Sequence, residues 1–248
     1  MKKKLRVIFR LLVPIFFLVL MSFINGVQQA SKCKDIIISV YSEDNHEFIS
    51  EGNVLDLINT KFNTPVSQKI GDLRTDLMED ELENHYAIAN AEVHITVDGK
   101  LLVDIEQRRP IARIFPFDGP GYYLDENGKI MPLSRQYTAR VPIVNGFVRD
   151  TYKNVKNFCF DPACKNDSVF DSSYMDEIFR ICRFLDSNPF WNAQIEQLYV
   201  NKESDIELIP RVGNHTIVLG EPDLITEKFD KLMIFYRQGL TKTGWNEY

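Results

Sequence analysis

The chain has 248 residues, 44% of them hydrophobic and 26% charged, a composition that excludes collagen-like, low-complexity and wholly disordered chains. The formal charge of −6 is unevenly spread: the first 34 residues hold seven of the 29 basic side chains and no acid, leaving 22 basic against 35 acidic residues and a charge of −13 on residues 35–248. So acidic a body lacks the basic face that phosphate contacts require, which excludes nucleic acid as a partner and argues against broad adhesion to anionic lipid.

Residues 7–27 (VIFRLLVPIFFLVLMSFINGV) form an apolar stretch preceded by Lys2, Lys3, Lys4 and Arg6. As a helix, 21 residues reach about 31 Å, one bilayer core. Arg10 lies one turn from the basic end and can snorkel to the headgroups, and Pro14 is tolerated in a membrane helix. The positive-inside rule predicts a cytoplasmic tail over residues 1–6, a single span over 7–27 and an exported remainder. The rival reading is a cleaved signal peptide, because the uninterrupted apolar core is 14 residues; against it, no small-x-small site follows, Gln28 and Gln29 preceding Ala30. The expectation is a retained anchor.

In the exported part, residues 35–41 (DIIISVY) predict a strand. Ser50 is placed to cap a helix running to Phe62 with Val54, Ile58 and Phe62 on one face, and Asp72 to cap a second reaching about His85, with Leu73 and Leu77 one turn apart. Val93, Ile95 and Val97, then Leu101, Val103 and Ile105, alternate with other residues on either side of Asp98-Gly99, which predicts a hairpin closed by a two-residue turn. After Pro110 a second hairpin is expected around Glu126-Asn127-Gly128, between strands at 122–124 and 129–131, and a short extended piece at 141–148. Ser173 and Asp176 form a capping-box pattern before a helix faced by Met175, Ile178, Cys182 and Leu185, which Pro189 ends. Strands follow at 195–200, 206–209 and 216–219, and Pro222 opens a last helix with Ile225, Phe229, Leu232 and Tyr236 on one stripe, stopped near Gly239. The expected class is α+β: an N-terminal transmembrane helix, a βααββ block over 28–109, then a β-rich domain of antiparallel sheet with flanking helices over 110–248.

Several strings then become familiar in their order. The βααββ block outside a single anchor resembles a POTRA domain. Glu106-Gln107-Arg108-Arg109-Pro110-Ile111-Ala112 is similar to the passage where FtsQ/DivIB-type division proteins leave POTRA and enter their β domain. Leu124-Asp125-Glu126-Asn127-Gly128, Pro142-Ile143-Val144-Asn145-Gly146 and the region from Pro210 to Gly220 resemble later strands and hairpins of that family, in details closest to Bacteroidetes-type versions. The resemblance implies an inner-membrane, single-pass scaffold with a periplasmic bulk. It would bind division proteins of the FtsB/FtsL type by strand addition and time septum formation, with no enzymatic activity, cofactor or small-molecule substrate. It also implies an extended strand after the last helix, where this sequence reaches Tyr248. Ile217, Val218 and Leu219, with Trp245 and Tyr248, are the partner-binding residues it points to. The alternatives are a POTRA-containing outer-membrane assembly or secretion factor, and a periplasmic wall-processing enzyme.

No reactive constellation accompanies these features. His46, His85, His94 and His215 fall in separate elements without zinc-protease spacing, and no nucleophile elbow, phosphate loop or dinucleotide fingerprint is present. Asp104 with Glu106 and Asp125 with Glu126 read as solvated charge, not as carboxyls facing one another across a cleft. Cys159 and Cys164, separated by Phe-Asp-Pro-Ala, have the spacing of a small disulfide loop in an oxidising compartment, whereas Cys182 falls on an apolar helix stripe. Phe115, Phe117, Tyr122 and Tyr123 are expected to pack in the core or between domains.

Overall fold

In a computed structural model, residues 16, 29–43, 47–160, 174–221 and 223–240 are described. Residues 7–27 (Phe16 excepted), His46, Cys164, Ser173, Pro222, Trp245 and Tyr248 lie outside them, so the expectations resting on those positions do too. Among the described residues no helix is long and apolar enough to cross a membrane. They fall into two units, the first comprising the residues up to 43 with Ile49–Gln107, the second Glu47, Phe48 and the residues from Arg108 onward.

In the first unit, β1 (Asp35–Tyr41), α1 (Glu51–Phe62), α2 (Thr75–Glu83), β2 (Ile88–Ile95) and β3 (Lys100–Gln107) give the βααββ order. The sheet runs β1-β3-β2, with β1 parallel to β3 and β2 antiparallel to it. α1 starts where Ser50 accepts a hydrogen bond from the Asn53 N–H and Asn53 answers from the Ser50 N–H, a reciprocal cap. Val54 and Ile58 are buried, and so are Val93, Leu101, Val103 and Ile105 on the strands. Three expectations are corrected. Asp72 ends a 3₁₀ turn (Ile70–Asp72), and α2 begins at Thr75 with no side-chain cap. Its core face is Met78 and Leu82, while Leu77 is exposed, because the later start rotates the stripe. The hairpin loop has three residues, not two: the Gly99 N–H reaches the Thr96 carbonyl, the Thr96 N–H reaches the Lys100 carbonyl, and only Gly99 has positive φ. Val97 therefore leaves the strand and stands exposed in the turn.

The second unit holds β4 (Pro110–Ile114), β5 (Tyr122–Asp125), β6 (Ile130–Pro132), β7 (Ile143–Gly146), α3 (Tyr152–Val155), α4 (Tyr174–Ser187), α5 (Pro189–Gln194), β8 (Ile195–Val200), β9 (Ile206–Pro210), β10 (Ile217–Gly220) and α6 (Ile225–Phe235). Its seven strands run β10-β9-β8-β7-β4-β5-β6. This sheet is mixed, which corrects the antiparallel expectation: β7 lies parallel to both β4 and β8. The stretch from β7 to β8 contains helices, and a helical crossover returns the chain in the same direction as it left. α4 covers one face of the sheet with Met175, Ile178, Cys182 and Leu185, joined by Phe179 and Ile181, all buried with Ile114, Val144, Leu198 and Leu208 of the strands. Each large apolar side chain so buried contributes about 1.5–3 kcal/mol. Pro189 does more than end α4: it is the first residue of α5, where Asn188 caps the Trp191 N–H.

Candidate partner-binding edge

Strand β10 lies at one end of the seven-stranded order and pairs only with β9 among the described residues. Ile217 is opposite Leu208 and Val218 opposite Glu207. The register then slips, so that Gly220 faces Ile206. The slip is a bulge, and Gly220 takes the positive φ (+73°) it needs. Strand alternation sorts the three sequence-predicted residues. Leu219 is buried in the core cluster, Ile217 packs half-buried against that cluster, and Val218 is 72% exposed. Leu219 thus anchors the strand to the core, while Val218 is the apolar side chain presented at the edge.

An aromatic cluster supports this end of the sheet. Trp191 packs edge-on to Phe229 and Tyr236, with centroids 5.1 and 5.3 Å apart, and Phe184 lies 4.6 Å from Phe229. His215, just before β10, is hydrogen-bonded to the Tyr236 hydroxyl at 2.9 Å, tying the strand's entry to the turn after α6. Burial pushes the Tyr236 hydroxyl above its usual range, so it stays neutral in this bond. Phe229 and Tyr236 of the expected α6 stripe are buried, Ile225 and Leu232 half-buried, and Leu224, Ile234 and Phe235 are exposed.

Such an edge can add a strand. The outward backbone N–H and C=O groups of a terminal strand pair with an incoming extended segment, and each bond adds a net ~0.5–1.5 kcal/mol.

The acidic pairs behave differently from one another. Glu106 is exposed and Asp104 half-buried. Asp125, expected to be solvated, is fully buried and 3.0 Å from the Arg108 guanidinium, with its other oxygen accepting from the Asn127 and Lys129 N–H groups. Burial pushes this carboxyl up from its usual range, and those donors oppose the push. Glu126 shares Arg109 with Asp186, both at 2.7 Å. The hydrogen bonds of Asp186, then those of Glu126, raise the Arg109 pKa, so the guanidinium stays charged. Sequence gave no signal for these pairs, because Asp125 and Arg108 are 17 positions apart. Their carboxylates are engaged by arginine and backbone donors, which fits them to hold β5 and α4 together.

Of the remaining candidates, His94 is exposed and His85 half-buried. No group of three or more metal-ligating side chains occurs among the described residues. Cys33 and Cys182 are free and buried, and burial pushes the Cys182 thiol up to about 12. Cys159 is in a disulfide, and Cys164 lies outside the described residues. Tyr122 and Tyr123 are buried, but Phe117, expected in the core, is 71% exposed and stacks on Phe147 at 5.3 Å.

Compared with known families, residues 109–248 match the one described as FtsQ/DivIB, C-terminal related, and residues 31–106 match a POTRA-like domain. No curated protein gives a significant match.

Proposed function

The chain belongs to the FtsQ/DivIB, C-terminal related family, and from that membership we propose that it is a division scaffold of the bacterial inner membrane. Residues 7–27 anchor it, residues 28–109 form its POTRA-like part and residues 110–248 its partner-binding part. Its partners are division proteins of the FtsB/FtsL type, and it acts by binding them, not by catalysis. The observation that carries the docking mode is the β10 edge, with Val218 exposed and Leu219 holding the strand to the core. A partner segment adds beside β10, and Trp245 and Tyr248 supply aromatic contact. Sharing one membrane raises the effective concentration of the partners, so contacts that are weak one at a time suffice.

The test uses the full chain in lipid nanodiscs with an FtsB/FtsL-type complex from the same cell. Val218→Pro removes a backbone donor and disfavours the extended pairing. It should weaken binding at least tenfold while far-UV circular dichroism is kept, and Val218→Thr should bind as the wild type does. Unchanged binding by folded Val218→Pro would remove β10 as the docking strand.

A further inference from the structure

The helix-covered face of the seven-stranded sheet has an opposite face, and Arg113 stands in the middle of it. Residues paired across strands share a face. Arg113 on β4 is paired with Tyr123 on β5 and Ile143 on β7, and Ile143 in turn with Gln197 on β8. None of these four belongs to the core cluster beneath α4. Arg113, Ile143 and Gln197 are half-buried.

The surroundings of this arginine are unlike those of its two neighbours in sequence. Arg108 and Arg109 are both engaged by carboxylates. The Arg113 guanidinium lies 4.9 Å from the Phe115 ring centroid and 5.7 Å from that of Tyr123, and among the described residues it pairs with no carboxylate. Its Nε is buried and meets no acceptor among those residues. Cation–π contact with the rings uses no N–H donor of the guanidinium, so these donors stay without a carboxylate among the described residues. The Tyr123 hydroxyl accepts from the Ala139 N–H, which holds one of the two rings in place. On β7, Asn145 lies on the same face, two residues beyond Ile143. Its carbonyl oxygen accepts from Gln197 at 2.8 Å, which leaves its amide N–H₂ as a further donor.

We propose that the Arg113 guanidinium, with Asn145 beside it, receives the carboxylate of an aspartate or glutamate side chain from a protein partner at the half-buried part of this face. The planar fork fits a carboxylate through two parallel bonds, and such a pair satisfies donors that are otherwise partly dehydrated. The half-exposed Ile143 and Phe115 beside it give the apolar contact that a peptide backbone and its side chains use. A lone arginine on a body of charge −13 is a local attraction for one acidic side chain and no footing for a polyanion. This site stands apart from the β10 edge and does not depend on it.

The experiment titrates the full chain in neutral-lipid nanodiscs, with arginine Nε labelled by nitrogen-15, against two blocked peptides, Val-Thr-Glu-Thr-Val and Val-Thr-Gln-Thr-Val. The glutamate peptide should move the Arg113 Nε–H resonance and bind at least tenfold more tightly than the glutamine peptide. Arg113→Gln should abolish that preference. Arg113→Lys, which keeps the charge and loses the fork, should retain a reduced preference and so serves if Arg113→Gln does not fold. Equal binding of the two peptides, no shift of the resonance with either, or an undiminished preference in the variants would overturn the proposal.

Discussion

Strand β6, at one end of the seven-stranded sheet, is three residues long and ends in Pro132, which has no N–H to offer. Beside its first turn the chain returns, with Lys129 bridged to Cys159 and the Phe160 N–H reaching the Gly128 carbonyl. Strand β10, at the other end, has no proline, presents Val218 to solvent and is flanked by no further strand among the described residues. Proteins that keep an edge closed shorten it, place proline in it or cover it. β6 has all three features; β10 is also short, at four residues, and bulged, but it has no proline and no covering strand among the described residues, although both belong to one sheet. The difference is the ground on which β10, and not β6, is proposed as the edge that receives a partner.

The largest effect is expected where β6 is pinned. Asp125→Ala leaves Arg108 buried without its carboxylate and frees the turn to β6; it should cost about 3–5 kcal/mol in denaturant unfolding. Asp125→Asn, which can keep the two backbone hydrogen bonds, should cost less. A second test concerns the cover of β6. We propose that Cys159 is bridged to Cys164. A thiol count under denaturing, non-reducing conditions should then find two reactive thiols, those of Cys33 and Cys182, whereas four would remove the bridge.

At β10, Gly220→Ala adds a Cβ that meets nothing within 4 Å, so the only penalty is the positive φ. It should destabilise by about 1–2 kcal/mol and loosen the bulge beside Leu219. The smallest effect belongs to the first unit and serves as a control. Burial holds His85 below its ordinary value, and its Nδ1 accepts from the Ala87 N–H at 3.3 Å. A depressed folded-state pKa stabilises above the unfolded value, near 6.5, and that contribution is lost as pH falls through the folded value. Urea titrations from pH 7 to pH 5 should show a loss that His85→Gln removes, with partner binding at β10 unaffected by the substitution.

How much of this was legible in the sequence follows from the range of the signals. Ser50 as a helix cap, and the alternation through Val93, Val103 and Ile105, act over a few residues, and both predicted the right elements. Gly99 and Gly128 marked their turns, but the loop length depended on which backbone groups pair, and Asp98 did not need positive φ. The parallel placing of β7 and the burial of Asp125 were hidden, because each depends on partners brought from far along the chain. For the same reason the strand 216–219 could be named as an edge candidate, yet the register slip between Val218 and Gly220 could not. Arg113 carried no local mark at all: its isolation from carboxylates is a property of the sheet face.

The central claim, that β10 and not β6 receives a partner strand, is tested most directly by backbone hydrogen–deuterium exchange. The full chain in nanodiscs would be followed with and without the FtsB/FtsL-type complex. Added strand pairing should slow exchange over Ile217–Gly220 and leave Ile130–Pro132 as it was. Equal protection at both edges, or none at Ile217–Gly220 while the complex is bound, would contradict it.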